Sequence, residues 1–183
     1  MSLTKQQWEK AQQRALALFE KAAIVLTDRE KEHLEVADFG LEDLDRFGLE
    51  IVTYVNTDRC CAKELVLFPG QTCPEHRHPP VAGEPGKEET FRCRYGLVYL
   101  YVAGPATPEP EIKATLPAGR EQYFTARHQI ILHPGDQYTL APDTWHWFQA
   151  GPEGAVVSEF STKSRDEADL WSDPQIQRIP EIR

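Results

Sequence analysis

The stretch GQTCPEHRHPPVAGEPGKEETFRCRYG (residues 70–96) decides how this chain is read. His76 and His78 stand one residue apart, Glu89 follows, and a glycine closes each end. Side chains two apart on a β-strand share a face, so His76 and His78 project together while Arg77 points away. Two imidazoles on one face with a nearby carboxylate can hold a divalent transition metal. A third histidine, His146, lies in the apolar, strand-like segment WHWFQ (145–149). Three imidazoles and one carboxylate would fill four positions of an octahedral ion and leave two for a substrate.

Working outward, 183 residues suit a single domain with a substantial core. The net charge of −9 argues against nucleic acid or an anionic membrane as the main partner. No apolar run approaches membrane-spanning length and no signal-peptide pattern opens the chain. Cys60, Cys61, Cys73 and Cys93 include no C-x-x-C pair and read as reduced thiols rather than a disulfide framework or zinc ribbon.

The chain before the histidines opens as a helix and continues as strands. Thr4 with Gln7 resembles a capping box, and Trp8, Gln12, Ala15, Phe19 and Ala23 fall near one side of an amphipathic helix over roughly residues 4–26. Asp28 is a candidate cap for a short second helix through REKEHLEVADF, where His33 reads as a surface or packing histidine. From Leu49 the runs LEIVTYVN and CAKELVLF form a hairpin pattern around NTDR. After Glu89 come TFRCRYG, LVYLYVAG, a proline-rich loop, HQIILH, QYTLAP, WHWFQAG and AVVSEFST. Short apolar runs punctuated by turn residues, with 14 prolines and 11 glycines in the chain, indicate an all-β sandwich or barrel. Residues 1–48 are expected as a helical extension packed on a barrel of residues 49–183. The tail from Arg165 onward carries Leu170, Trp171, Ile176 and Ile179 and is expected to pack across that barrel.

The spacing of these residues resembles the cupin superfamily. Five residues separate Gly70 from His76 and six separate Glu89 from Gly96, as in its first motif, while Gly135 and His146, eleven apart, match its second. The gap of ten residues between His78 and Glu89 is longer than usual, no Asn follows His146, and Pro142 is displaced by one. Glu75, Glu84 and Glu88 lie nearby, but Glu89 alone keeps the spacing to Gly96. Within the superfamily, GKEETFRCRYG, PDTWHWF and VVSEFS resemble the D-lyxose isomerase family. The resemblance implies a mainly β cupin barrel (a double-stranded β-helix or jelly roll) with His76, His78, Glu89 and His146 as metal ligands. It also implies a manganese-dependent aldose–ketose isomerase, a cytoplasmic homodimer acting on free D-lyxose and D-xylulose and often D-mannose and D-fructose. Co²⁺, Fe²⁺ or Zn²⁺ would suit the same donors.

Interconverting an aldose and a ketose through an enediol needs an acid/base group within reach of C1 and C2. Lys87 shares strand parity with Glu89 and would face the metal side if the chain is extended there, though a solvated loop cation after Pro85-Gly86 is the plainer alternative. Glu159 sits in an apolar strand with Val157 and Ser161 on its face, where a carboxylate has a raised pKa unless it is paired. Arg92 and Arg94 have the opposite parity, Cys93 reads as packing, and Trp145, Trp147 and Phe148 read as core or as an aromatic wall for a sugar. A cupin dioxygenase and a non-catalytic sugar-binding cupin are the competing functions. A sugar-phosphate isomerase would want a cationic cluster aimed at the phosphate.

Overall fold

The computed structural model describes residues 3–179. Helix α1 (Lys5–Lys21) starts at the expected capping box, with Thr4 and Gln7 satisfying each other's backbone N–H groups. It stops before residue 26 because Ala23 adopts a left-handed conformation (φ 55°), and the Ile24 amide donates back to Phe19 O at 3.0 Å. Ala11, Ala15, Leu18 and Phe19 form its buried face, against Val52, Val66 and Val156 on the outside of the sheet. Helix α2 (Asp28–Glu32) is capped by Thr27 rather than Asp28, because the Thr27 hydroxyl accepts from Glu30 N–H while Glu30 reaches back to Thr27. The expected helix does not continue: β1 (Glu35–Ala37) is a strand paired with β2 (Leu49–Asn56). The stretch before Leu49 is therefore not helical throughout.

Among the described residues, nine strands form one antiparallel sheet curled around an apolar interior. Its spine is β8 (His146–Ser161), which pairs with β3 (Cys61–Leu67) and β4 (Thr72–Arg77) on one side and with β5 (Glu89–Val102) on the other. β2 extends the sheet beyond β3, while β5 carries β6 (His128–Leu132) and β7 (Gln137–Leu140). Two pairs of runs that read as separate strands, TFRCRYG with LVYLYVAG and WHWFQAG with AVVSEFST, are each one long strand with an internal irregularity. The register shifts at Cys93/Tyr95 and Gly96/Val98, so inward parity passes from Phe91 and Cys93 to Val98, Leu100 and Val102. On β8 it passes from Phe148 and Ala150 to Ala155 and Val157. This change lets His146 and Glu159 face the same interior although they lie 13 positions apart, an odd number.

Pro74 makes a similar adjustment in β4. Cys73 pairs with Phe148 and His76 with His146, so three steps on β4 oppose two on β8. A proline in a strand removes a ladder donor and marks such a bulge. Cys73 and His76 thus both face inward, while Glu75 accepts Thr125 N–H, Thr125 hydroxyl and Ala126 N–H at 2.7, 2.8 and 2.7 Å and anchors the loop behind the sheet. Phe148 lies inside the curled sheet, and Trp147 lies outside it, stacked on Tyr101 with ring centroids 4.0 Å apart.

The tail crosses the mouth of the sheet. β9 (Leu170–Trp171) pairs with β4, turning Trp171 inward onto Phe39 and leaving Leu170 44% exposed. Ile176 packs on the interior cluster, but Ile179 is exposed, so two of the four apolar tail residues anchor it. Residues 1–2 and 180–183, assigned above to the extension and the tail, lie outside the described residues.

Gly96 has φ 72°, and a Cβ there would lie 1.9 Å from Gly154 O, whereas Gly70 has φ 71° with nothing within 4 Å of its Cβ position. Gly70→Ala should cost only the left-handed strain, of order 1–3 kcal/mol. Gly96→Ala should cost clearly more, because backbone must also move. Thermal or denaturant unfolding of the two variants checks this, and equal destabilisation would contradict it.

Candidate metal centre

The pleat and the Pro74 bulge carry His76 and His78 inward from the end of β4, and His146 meets them from the start of β8. One ring nitrogen of each lies within 4.8 Å of the others, and all three side chains are buried. Local backbone sets their tautomers. His76 Nδ1 lies 2.8 Å from Pro74 O, and His146 Nδ1 lies 2.9 Å from Thr144 O. Carbonyl oxygens only accept, so both Nδ1 atoms carry the hydrogen and both Nε2 atoms present lone pairs. His78 Nδ1 donates to Asp169 Oδ1 at 2.5 Å. Each ring is therefore tethered on the nitrogen away from the centre.

Glu89 begins β5 and enters the same space, 1% exposed. Its Oε1 lies 3.1 Å from His78 Nε2 and 3.0 Å from His146 Nε2. The second distance is short, yet His146 Nε2 has no hydrogen-bond partner. The tautomer explains this: a lone pair faces a carboxylate oxygen, two acceptors with no proton between them. A buried orphan of this kind costs free energy unless a cation lies between the donors. The residues fit a divalent transition metal, with three neutral imidazoles and a carboxylate as the donor set.

Charge around the centre is balanced by Lys87 and Glu159. The Lys87 ammonium lies 2.7 Å from Glu89 Oε2 and 3.1 Å from Glu159 Oε1, and Ser161 Oγ donates to Glu159 at 3.2 Å. Burial disfavours charge on Lys87, but Glu159 and Glu89 outweigh it and hold its pKa well above the ordinary lysine range. Glu89 is likewise buried, and Lys87 and His78 hold its carboxyl well below the usual range. Burial pushes His76 far down, aided by the neighbouring imidazoles, so it stays neutral. Burial also opposes charge on His78, yet Glu89 and Asp169 push its pKa up to about 9.

All six residues singled out from the sequence, His76, His78, Lys87, Glu89, His146 and Glu159, are thus brought into one place. Lys87 is buried rather than a solvated loop cation. Glu159 is paired with Lys87 and accepts from Ser161. Of the other nearby carboxylates, Glu75 is spent on the 125–126 backbone, Glu84 pairs with Arg165, and Glu88 is exposed. His33 and His128 bond backbone carbonyls away from the centre. Arg92 is turned outward to Gln137, and Cys93 is packed in the interior.

Sequence reasoning missed the rest of the wall. Lys63, Asp166, Asp169, Trp171 and Arg178 line the same cavity, with Phe39, Ile51 and Leu65 as its apolar side. Trp171 stacks on His76 at 4.6 Å between centroids. Lys63 bonds both oxygens of Asp166 at 3.1 Å, and Arg178 bonds Asp166 at 2.8 Å as well as Glu35. The inward parity of Lys63, opposite Glu159, was readable within CAKELVLF. No local pattern marked the tail residues.

A family model described as D-lyxose isomerase matches residues 4–183. The chain belongs to the D-lyxose isomerase family. It is 61% identical over 180 residues to a D-lyxose/D-mannose isomerase of Thermosediminibacter oceani, covering 98% of each chain. It is 58% identical over 176 residues to a D-lyxose ketol-isomerase of Cohnella laeviribosi, covering 96% of each. Family membership makes this chain a sugar isomerase. Its fold is similar to Cellulomonas parahominis L-ribose isomerase, solved with L-ribose (TM-score 0.82, 18% identity, 100% of this chain and 99% of that one). An Acinetobacter L-ribose isomerase gives a TM-score of 0.80 at 17% identity, covering 100% and 98%. The curled sheet is thus a cupin barrel with an N-terminal helix outside it. No described helix is long and apolar enough to cross a membrane.

Metal analysis of the purified protein should find one divalent transition-metal ion per chain. His76→Ala removes one of three converging nitrogens and should lose that ion together with activity. Stoichiometric, tightly held metal in this variant would contradict the assignment.

Proposed function

We propose that this sugar isomerase interconverts D-lyxose with D-xylulose, and D-mannose with D-fructose, by proton transfer through an enediol at a manganese centre. His76, His78, Glu89 and His146 would hold the ion, and Co²⁺, Fe²⁺ or Zn²⁺ would fit the same donors. When bound, the ion supplies Lewis-acid polarisation of the sugar carbonyl. The names of the T. oceani and C. laeviribosi relatives support the substrates. The single observation that carries the mechanism is the buried Lys87–Glu159 pair, set against the Oε2 of Glu89 that faces away from the histidines.

In this reading Glu159, oriented by Ser161 and Lys87, takes the proton from one carbon, exchanges it in part with solvent through Lys87, and delivers a proton to the neighbouring carbon. Lys87 donates toward the substrate oxygens, which exchange the proton as the carbonyl moves. Phe39, Ile51, Leu65 and Trp171 keep bulk water from the reacting carbons. The cavity's cations favour a free sugar over a phosphorylated one: Lys63, Lys87 and Arg178 are each already paired with a carboxylate. A dioxygenase or a non-catalytic binding role lacks the support that the isomerase family gives. The proposal extends to a cytoplasmic homodimer. Free cysteines support the compartment, and Val55 and Phe160, which flank Ala62 on the outer face and are 38% and 50% exposed, support the dimer.

General acid–base groups are commonly worth ~10²–10⁴-fold in rate. Glu159→Gln keeps shape but takes no proton, so with D-lyxose it should lose about that much kcat while retaining metal. Wild-type turnover in deuterium oxide should place solvent deuterium in the product. Near-normal turnover in the metal-loaded variant, or a product free of solvent deuterium, would overturn the role.

A further inference from the structure

We infer that Asp169 is a positioning residue of the metal centre, and that through it docking of the tail segment 169–178 is part of the site's assembly. The three imidazoles are not tethered alike. His76 and His146 are held by carbonyls two residues earlier in their own chain segments. His78 is held by a carboxylate 91 residues away, immediately before β9. That carboxylate is itself only 7% exposed, so its interaction with His78 is shielded from water.

The same segment grips β4 residue by residue. Leu170 pairs with Arg77 and Trp171 with His76. The Trp171 ring stacks on the His76 ring. Ser172 donates its amide to Glu75 O at 3.1 Å and its hydroxyl to Tyr123 O at 2.5 Å. Beyond this grip, Asp173 pairs with Arg120 and Arg178 with Asp166. The tail therefore orients two of the three imidazoles, one by an ion-assisted hydrogen bond and one by stacking.

A carboxylate partner does what a carbonyl does, fixing the tautomer so that Nε2 faces the centre. Its charge additionally makes the imidazole a stronger donor to a cation. Because a ligand and its tether are linked, whatever binds at Nε2 should stabilise the docked tail, and the docked tail should tighten that binding by the same factor.

The inference rests on the donor set proposed above, and the test separates the two. Stripped wild-type protein is titrated with Co²⁺ against a chromophoric chelator, beside Asp169→Ala and Asp169→Asn. Wild type that holds no Co²⁺ would overturn the donor set itself. If wild type binds, Asp169→Ala should bind about 10–100-fold more weakly. Asp169→Asn should recover part of that loss, since its amide oxygen still accepts from Nδ1. Wild-type affinity in Asp169→Ala would overturn the inference and leave the donor set standing. Hydrogen exchange on wild type gives a reading independent of any variant. The Ser172 amide should exchange more slowly with Co²⁺ bound, and an exchange rate indifferent to the metal would overturn the coupling.

Discussion

A charged group in the barrel interior persists only when it is paired, and this constraint organises the site. Four carboxylates (Glu89, Glu159, Asp166 and Asp169) and three permanent cations (Lys63, Lys87 and Arg178) line one cavity. The shortfall is one positive charge. His78, its pKa pushed up to about 9, supplies that charge in the protein alone. A divalent ion among the Nε2 atoms would replace that proton and relieve the His146 lone pair facing Glu89. The same pairing that holds Lys87 charged also presents Glu159 to the cavity, so the acid/base group and the donor set belong to one electrostatic unit.

The barrel supplies the constraint's geometry through irregularities rather than through ideal strands. A uniform β8 would place His146 and Glu159 on opposite faces, and a uniform β4 would separate Cys73 from His76. The parity changes on β5 and β8 and the bulge at Pro74 remove both conflicts. Gly96 is needed where the two long strands approach within reach of Gly154 O. Helix α1 works from outside, burying Val52, Val66 and Val156 behind the strands that carry Glu159.

Much of this was legible along the chain because it is written at short range. H-x-H, the glycine spacings and the parity of Lys87 and Glu159 are patterns of a few residues, and each places a side chain by the two-residue period of a strand. Helix ends were less legible: Thr27 and Asp28 are both good caps, and only the reach of Glu30 decides between them. β1 was hidden because EVA is short and takes its hydrogen bonds from β2. The tail was opaque for a different reason. Asp169 meets His78 across 91 residues and Arg178 meets Glu35 across 143, and contacts at such separations leave no period to read. Pro74 beside the first histidine was not read as a bulge, although a proline inside a strand marks one.

The most direct test of the centre is anomalous diffraction at the manganese absorption edge from crystals of the manganese-loaded protein. The expected result is a single strong peak within coordinating distance of the Nε2 atoms of His76, His78 and His146 and of the Glu89 carboxylate, with Glu159 beside it and not bound to it. A peak elsewhere in the molecule, or one at this place with Glu89 turned away to Lys87, would contradict the charge balance on which the site is built.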